Sequence, residues 1–305
     1  MLESILNWLG ALPGAAAQGM IWGIMAIGVY ITYKVLDIAD LTVDGSMVTG
    51  GAVCAVLVTG GVNVWLAVLA GVIAGMSAGA VTGVLHTFMG IPAILAGILT
   101  QLMLWSVNLK IMGKANIALP ARNYDLLLGS IKVPESLVVL VIFVVVLIAL
   151  LYCFFGTEIG TALRATGNNL NMSRAQGINT DFTKILGLII SNGIVALSGA
   201  LLSQYQGFSD ISMGRGAIVI GLAAVIIGDA VISKISQNFA VRLVGVILGG
   251  VIYYFVYQTV IFLGLDADLL KMLSAIVVAI FLAVPYWKKK YFNKSNSAKG
   301  VKKDA

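Results

Sequence analysis

Long apolar stretches alternate with short polar connections along the whole chain. An apolar helix needs about 20 residues to cross a bilayer, and the stretches that qualify, two of them short, predict about nine spans, with eight or ten as alternatives. They are continuously apolar, which favours helices over a β-barrel. The sequence therefore predicts one all-α polytopic membrane domain over residues 1–305. The predicted spans are Ala15–Tyr33, Gly45–Gly60, Val62–His86, Ile91–Leu109, Ser136–Phe155, Ile185–Tyr205, Gly216–Val231, Ala240–Leu263 and Leu269–Tyr286.

One polar segment, residues 156–184, interrupts this pattern with the sequence GTEIGTALRATGNNLNMSRAQGINTDFTK. Within it, Asn169 is predicted to cap a short helix over Leu170–Gln176, and Gly177 to end that helix in a left-handed turn. Thr180 then begins the next span. A folded polar segment between membrane spans indicates a surface for a partner, and Gly167 and Gly177 are expected to supply its bends.

Composition and charge agree with a membrane protein and suggest its orientation. Hydrophobic residues make up 60% of the chain and charged residues 10%, which is typical of integral membrane proteins rather than soluble domains. Lys and Arg are enriched in cytoplasmic loops. Most of the 19 Lys and Arg residues lie on one side if segment 156–184 and a basic tail at 287–305 share the cytoplasm. Nine spans then place the N terminus outside and the C terminus inside.

Four glycines recur every four residues in the third predicted span and share one helix face, which predicts close packing on another helix. They are Gly71, Gly75, Gly79 and Gly83. The same span contains the sequence GMSAG around Ser77, and His86 lies near its end. A serine hydrolase needs a strand, a strained turn and an acid partner around such a motif, so an intramembrane hydrolase is the weaker alternative.

Several kinds of chemistry are not expected in this chain. One histidine and two separated cysteines make no metal site. The chain has no GxxxxGK[ST] loop for nucleotide phosphates. We therefore expect no catalytic residues, cofactor or nucleic acid partner, and energy must come from an ion gradient or from another chain.

Polar residues precede each of the two short predicted spans. Asp40 lies in LDIADLTVDG before the first of them, and Asp210 and Arg215 lie in GFSDISMGRG before the second. Paired interrupted segments indicate inverted repeats with a broken helix in each half and a transport path between them. We expect the two segments to lie on opposite sides of the membrane; the alternative is that the acids only cap helices. Candidate path residues are Asp40, Asp44, Gly45, Gln204 and Asp210.

The order of motifs resembles a known family of transporters. The motifs are Gly160, ALRATGNN at 162–169 and AQGINT at 175–180, with ALSGALLSQYQGFSDISMGRGAIVIGLAAVIIG downstream and IADLTVDGSMVTGGAV upstream. Together they resemble the inner-membrane permeases of ABC importers for ribose and branched-chain amino acids, over about residues 24–284. Asp229 stands where common members carry glycine. With DLTVDG, it resembles a less studied branch associated with aromatic amino acid type binding proteins.

The resemblance implies a non-enzymatic permease subunit that pairs with a second copy, and a plasma membrane location. ATPase subunits would dock on segment 156–184, and an external binding protein would dock outside. Apart from the resemblance, the lysines of the tail at 287–305 predict a solvated anchor that also contacts anionic lipid. The residues expected to couple to the ATPase are Arg164, Ala165, Gly167, Asn168, Arg174, Gly177 and Ile178. Those expected to dock the binding protein are Lys114, Arg122 and Lys132. The alternatives are a gradient-driven secondary transporter or channel, and an export permease.

Overall fold

The computed structural model describes residues 2–120, 123–232 and 238–262, and the single positions 272, 275, 276, 279, 280 and 283. The three continuous ranges contain ten α-helices and two short strands. The helices are α1 (Leu2–Tyr30), α2 (Val43–Thr59), α3 (Val64–Thr87), α4 (Ala93–Met112), α5 (Val133–Gly156), α6 (Glu158–Asn168), α7 (Leu170–Ala175), α8 (Thr180–Gln206), α9 (Ala217–Ile232) and α10 (Phe239–Phe262); the strands are β1 (Asn116–Ala118) and β2 (Phe208–Asp210). A π-helical segment, Ile31–Val35, extends α1.

The predicted all-α membrane architecture is confirmed. Within the described ranges, α1 with its extension, α3, α4, α5, α8 and α10 are long and apolar enough to cross a membrane. Helices α2 and α9 are apolar but shorter, as the two short predicted spans require. The ninth predicted span, Leu269–Tyr286, lies almost entirely outside the described residues, as does the tail at 287–305, so the count of nine is not confirmed.

Helices α1 and α8 form the centre of the molecule. Helix α8 packs on α1, α2 and α3, and α1 packs also on α9 and α10. The core includes Ile24, Met25, Leu188 and Val195, all buried. Helix α5 lies at the periphery and exposes Val138, Ile142 and Val145 among other apolar side chains, as expected of a helix that faces lipid.

The glycine face of α3 packs on α8, as predicted. A Cβ atom at Gly75 would lie 2.6 Å from the carbonyl oxygen of Asn192, and one at Gly79 would collide with the carbonyl of Leu188. Such distances leave no room for a side chain. The two backbones approach this closely only because the α3 positions are glycine.

The molecule has two ends, which we call the coupling face and the opposite face. Helices α6 and α7 lie at the coupling face, where Gly167 contacts the end of the extended α1 at Val35. Strands β1 and β2 pair antiparallel at the opposite face, with Ile117 aligned to Ser209. Since α8 begins beside α7 and ends beside β2, the length of α8 separates the two faces.

Candidate functional site

The two short helices meet inside the protein at their N-termini. Asp44, in the first turn of α2, accepts 3.0 Å hydrogen bonds from the backbone N–H groups of Gly216 and Ile218. Those groups begin α9, so the carboxylate caps α9 and complements the positive end of its dipole. One acidic side chain therefore joins the starts of the two helices.

From this meeting point α2 and α9 run in opposite directions. Helix α2 runs toward the opposite face, where Cys54 contacts Gln204 near the end of α8. Helix α9 runs toward the coupling face, where Asp229 forms a 3.2 Å ion pair with Lys34. The two short helices thus start close together and run apart, while the inverted repeat with a broken helix in each half stays a prediction. The segments before α2 and α9 enter from opposite faces, as expected, but they meet inside rather than staying apart.

A cavity of about 350 Å³ lies beside this meeting point. It is formed by α2, α4 and the segment that precedes α9. Polar and aromatic groups converge in it from three parts of the chain. The lining residues are Asp44, Gly45, Val48, Gln101, Leu102, Trp105, Asn108, Ile211 and Arg215.

A cation and an aromatic ring lie against each other in this cavity. The central guanidinium carbon of Arg215 lies 4.7 Å from the centre of the Trp105 ring, within the range of a cation–π interaction. Arg215 forms no ion pair with any residue that the structure describes. Its N–H groups therefore remain able to bind an anionic group, and the Trp105 ring orients them.

Asn108 supplies a buried hydrogen-bond acceptor. Its side chain is 1% exposed, and its amide group donates weakly to the carbonyl of Gly45 at 3.4 Å. The carboxamide oxygen has no partner among the described residues. Buried polar atoms are nearly always satisfied, so this oxygen is suited to accept a hydrogen bond from a passing solute.

The structure separates the other predicted path residues from this cavity. Asp40 is 2% exposed and is engaged by Asn192 and by the backbone of Thr42. Gln204 is buried, and its side-chain oxygen accepts a hydrogen bond from the backbone of Leu127 at 3.0 Å. Asp210 lies in β2 at the opposite face. Of the five predicted path residues, only Asp44 and Gly45 line the cavity.

Asp210 has a local role in the turn that follows β2. Its carboxylate accepts hydrogen bonds from the hydroxyl and the backbone N–H of Ser212, and from the side chain of Asn116 in β1. These bonds, the Ser212 hydroxyl first among them, hold the pKa of the Asp210 carboxyl below its ordinary value. The carboxylate therefore stays ionised and helps to fix the ribbon of β1 and β2.

Sequence reasoning missed the lining residues on α4, three of which carry a polar group. Gln101, Trp105 and Asn108 are spaced by four and three residues, which places them on one helix face. A polar stripe at this spacing inside an apolar span was the available signal.

The polar segment 156–184 contains two helices rather than one. The short helix and its caps are confirmed: the Asn169 side chain accepts a 3.0 Å hydrogen bond from the backbone of Met172, and Gly177 has φ +82°. The helix ends at Ala175, one residue earlier than predicted. Helix α6 was not predicted; its N-cap is Thr157, whose hydroxyl accepts from Gly160.

The predicted coupling residues divide into outward and inward positions. Asn168, Arg174 and Gly177 are exposed. Arg174 is also held in place, because its Nε donates to the Thr180 hydroxyl at 2.9 Å and its guanidinium lies 3.6 Å from Asp181. Ala165 and Ile178 are half-buried and only partly accessible.

The geometry does not support the roles predicted for two residues of this segment. Arg164 points back into the protein, where it donates a 3.0 Å hydrogen bond to the carbonyl of Phe155. Gly167 does not bend the segment; it lies inside α6, and a side chain there would collide with the carbonyl of Val35. The outward surface is marked instead by Met172 and Phe182, which are 59% and 54% exposed.

The predicted docking residues lie at the opposite face as far as the structure describes them. Lys114 and Lys132 are exposed, and Lys132 forms a 3.3 Å ion pair with Glu135. Arg122 lies outside the described residues. The connection between α4 and α5 folds back on the protein, since Leu119 and Leu128 are buried.

The hydrolase alternative gains no support from the geometry. The Ser77 hydroxyl donates to the carbonyl of Ala74 at 2.6 Å, and the His86 ring contacts the carbonyl of Ile91 at 2.8 Å. Each polar group is engaged with backbone near it in the sequence, and the two lie nine residues apart along the chain. Among the described residues, no group of His, Cys, Asp and Glu is arranged to hold a metal ion.

A family of transport components accounts for this architecture. The family model described as "Branched-chain amino acid transport system / permease component" matches residues 12–284. The chain belongs to this permease family. The permease is a multi-pass membrane subunit of an ABC importer, and its family is non-enzymatic. This assignment decides against the gradient-driven transporter and the channel.

The permease is similar to transport proteins over nearly its whole length. It is 42% identical over 275 residues to the tyrosine transport system permease protein of Clostridioides difficile (strain R20291), covering 90% of this chain and 91% of the relative. It is 26% identical over 270 residues to the ribose import permease protein of Escherichia coli (strain K12), covering 88% and 83%.

One solved structure shares the fold. PsaBC from Streptococcus pneumoniae in complex with Fab superposes with a TM-score of 0.52 and 14% sequence identity, over 95% of this chain and 99% of that one. At this identity the likeness concerns the fold alone.

Proposed function

We propose that the permease carries an aromatic amino acid through the cavity beside Asp44. The observation that carries this proposal is the pairing of Arg215 with Trp105 at the mouth of a cavity that also holds the free carboxamide oxygen of Asn108. An arginine binds a carboxylate well. The amide oxygen accepts from an ammonium group, and the indole provides an apolar face for a ring.

The chemistry of the cavity fits a zwitterion better than a sugar. A sugar needs many hydrogen bonds of both kinds spread around a ring, whereas this site offers one cation, one unpaired amide oxygen and an indole ring. Asp44 adds negative charge, although both of its oxygens already cap α9. The 42% identity to a protein named for tyrosine transport supports the same class of solute. The cavity volume of about 350 Å³ lies within the common range for small ligands, about 300–1,000 Å³.

The proposed assembly uses both faces of the permease. ATPase subunits dock on the coupling face, which lies in the cytoplasm, and a solute-binding protein docks on the opposite face outside the cell. Helix α7 supports the first contact, because its capped backbone is rigid while Met172 and Arg174 project outward. The exposed cations Lys114 and Lys132 support the second, because charge of one sign steers a protein partner.

A second permease copy is proposed to complete the path. The cavity opens beside α4, which packs mainly on α2 and α3 among the helices that the structure describes. Helix α4 exposes Leu95, Leu102 and Met103. A long apolar face next to a polar cavity is the arrangement expected where two copies enclose a solute path.

Uptake into proteoliposomes tests the path and the solute together. The permease is reconstituted with its ATPase and binding protein, and ATP-dependent uptake of radiolabelled tyrosine is measured. Arg215→Gln is expected to reduce uptake about tenfold, since a charge-assisted hydrogen bond contributes about 1.5–3 kcal/mol. Lys110→Gln, which removes an exposed charge from the end of α4, is the control for net charge. Unchanged tyrosine uptake in both Arg215→Gln and Trp105→Ala would exclude this cavity as the path.

A further inference from the structure

A second cavity lies at the coupling face, away from the solute cavity. It has a volume of about 680 Å³ and is enclosed by the extended end of α1, by α6 and by the beginning of α10. Its polar and aromatic lining includes Tyr30, Tyr33, Lys34, Arg164, Phe239 and Arg242. None of these residues lines the cavity beside Asp44.

The cavity carries an excess of positive charge. Lys34 is neutralised by its 3.2 Å ion pair with Asp229. Arg164 and Arg242 form no ion pair with a described residue. Asp37 is the one acidic residue in the lining, so the two guanidinium groups leave a net positive site.

Both arginines hold a buried donor that has no acceptor. The Nε atoms of Arg164 and Arg242 are inaccessible to solvent and have no hydrogen-bond partner among the described residues. A buried donor left unsatisfied costs about 1–3 kcal/mol, and more when it is charged. Two guanidinium groups with such donors, on different helices, line one cavity and form a site for an acceptor.

The guanidinium groups of Arg164 and Arg242 are held in fixed positions in which they can donate to such an acceptor. Arg164 lies 4.5 Å from the centre of the Phe239 ring and donates to the carbonyl of Phe155. Arg242 reaches the hydroxyl of Tyr30. These contacts fix the planar groups and lower the entropy that binding would cost. A phosphate group fits, because its several oxygens accept from two guanidinium groups at once.

We propose that this cavity binds the phosphate headgroup of an anionic phospholipid and thereby joins α6 to α10. The source is a lipid because the cavity lies at the coupling face, between the end of the extended α1 and the beginning of the transmembrane helix α10, and because Tyr33 in its lining is exposed. Basic cavities between transmembrane helices on the cytoplasmic side bind anionic headgroups. The inference rests on the proposed cytoplasmic orientation of the coupling face and not on the identity of the solute.

A bound headgroup would regulate coupling. Helix α6 belongs to the polar segment that is proposed to receive the ATPase, and Arg242 belongs to a transmembrane helix that packs on α1 and α9. A phosphate that bridges Arg164 and Arg242 therefore transmits movement of α6 to the transmembrane helices. Removal of anionic lipid should lower uptake for each ATP hydrolysed, with hydrolysis itself continuing.

Lipid binding to the purified full-length permease tests the inference directly. Delipidated protein is titrated with phosphatidylglycerol or phosphatidylcholine and followed by native mass spectrometry. Phosphatidylglycerol is expected to bind the unaltered protein at least about tenfold more tightly than phosphatidylcholine, and Arg164→Gln and Arg242→Gln are each expected to remove about tenfold of that affinity. Lys110→Gln, at the opposite face, should keep the full preference.

Two variants are used because one of them could fail to fold. The two arginines lie on different helices, and a single variant that elutes as a folded protein is enough to decide the outcome. An equal preference for phosphatidylglycerol in the folded variants overturns the proposal. A titration with inorganic phosphate identifies the source: phosphate that displaces phosphatidylglycerol at equal concentration shows that a free anion is the ligand and overturns the lipid assignment. Tyrosine uptake is not read in this experiment, so its result is independent of the solute proposal.

Discussion

Nδ2 of Asn192, in the middle of α8, donates a 2.7 Å hydrogen bond to the carboxylate of Asp40, which lies 152 residues earlier in the chain. The other carboxylate oxygen accepts from the backbone N–H of Thr42 at 2.9 Å. The carboxamide oxygen of Asn192 in turn accepts from the hydroxyl of Ser46 in α2 at 2.6 Å. This buried network attaches the connection between α1 and α2 to the central helix of the protein.

Replacing Asp40 is therefore expected to destabilise the fold. Asp40→Ala removes the acceptor of the Thr42 N–H and one of the two acceptors of the Asn192 amide, which keeps its bond to the carbonyl of Leu188, at a cost of about 2–3 kcal/mol. The melting temperature of the purified protein in detergent measures the loss. Asp125→Ala, which removes an exposed acid at the opposite face, is the control. Equal melting temperatures for the two variants would show that the network contributes little.

The close contact of α3 with α8 predicts a strong effect of side-chain size. Gly75→Leu is expected to lower stability by at least about 3 kcal/mol, because the added atoms meet the backbone of Asn192 and neither helix can retreat without opening the core. Gly10→Leu is the matched control, since no atom lies within 4 Å of a Cβ built at Gly10 in α1. Thermal unfolding in detergent should separate the two variants clearly; similar curves contradict the packing argument.

The left-handed turn after α7 predicts a variant that separates ATP hydrolysis from uptake. Gly177→Val meets open space but places a β-branched residue at φ +82°, a strain of about 1–2 kcal/mol. The turn should relax and displace α7, so that hydrolysis continues while tyrosine uptake falls in proteoliposomes.

Gly113→Val is the control for that strain, because Gly113 ends α4 at the opposite face with φ +67° and is equally unobstructed. It should reduce stability by a similar amount and leave the ratio of uptake to hydrolysis unchanged. If the Gly177→Val variant keeps the normal ratio of uptake to hydrolysis, α7 is not the ATPase contact.

The hydrogen bonds of Asp44 predict that this residue serves transport as well as stability. Asp44→Ala removes both acceptors from the start of α9, which costs about 1–2 kcal/mol, and it lets α2 and α9 separate. Uptake should fall more than tenfold, while the melting temperature falls only slightly. Asp44→Asn retains one acceptor and should show an intermediate uptake. A variant with normal uptake and lowered stability would limit Asp44 to a structural role.

Thiol labelling in intact cells tests the orientation of the two faces. In a Cys153→Ala background, where the remaining Cys54 is buried, Lys114→Cys should react with an impermeant thiol reagent, and added binding protein should slow the reaction. Asn171→Cys, an exposed position on α7, should react only after the cells are opened. The reverse pattern of labelling would invert the proposed topology.

Much of the fold follows from local patterns in the sequence. The spacing of Gly75 and Gly79 predicts a close helix contact, and the two short predicted spans correspond to the short helices α2 and α9. Asn169 and Gly177 predict the caps of α7, because capping depends on residues near in sequence. Each of these features depends on residues that lie within a few helical turns of one another.

The features that were missed depend on distant parts of the chain. Arg164 points inward because Phe155 and Phe239, from two other helices, cover its guanidinium group. Trp105 belongs to a site only because Arg215 reaches it from the segment before α9. Strands β1 and β2 have three residues each, too few for an alternating pattern to be recognised. Local sequence patterns do not predict contacts between residues that lie far apart in the chain.

The segment between β2 and α9 is fixed at both of its ends. Asp210 is held by the pairing of β2 with β1, and Gly216 is held by the carboxylate of Asp44. Only five residues, 211–215, lie between these two anchors, so Arg215 is held at the cavity and has little freedom to move away. We therefore expect any widening of the proposed solute cavity to come from movement of the helices around this segment, with α4, which carries Trp105 and Asn108, foremost among them.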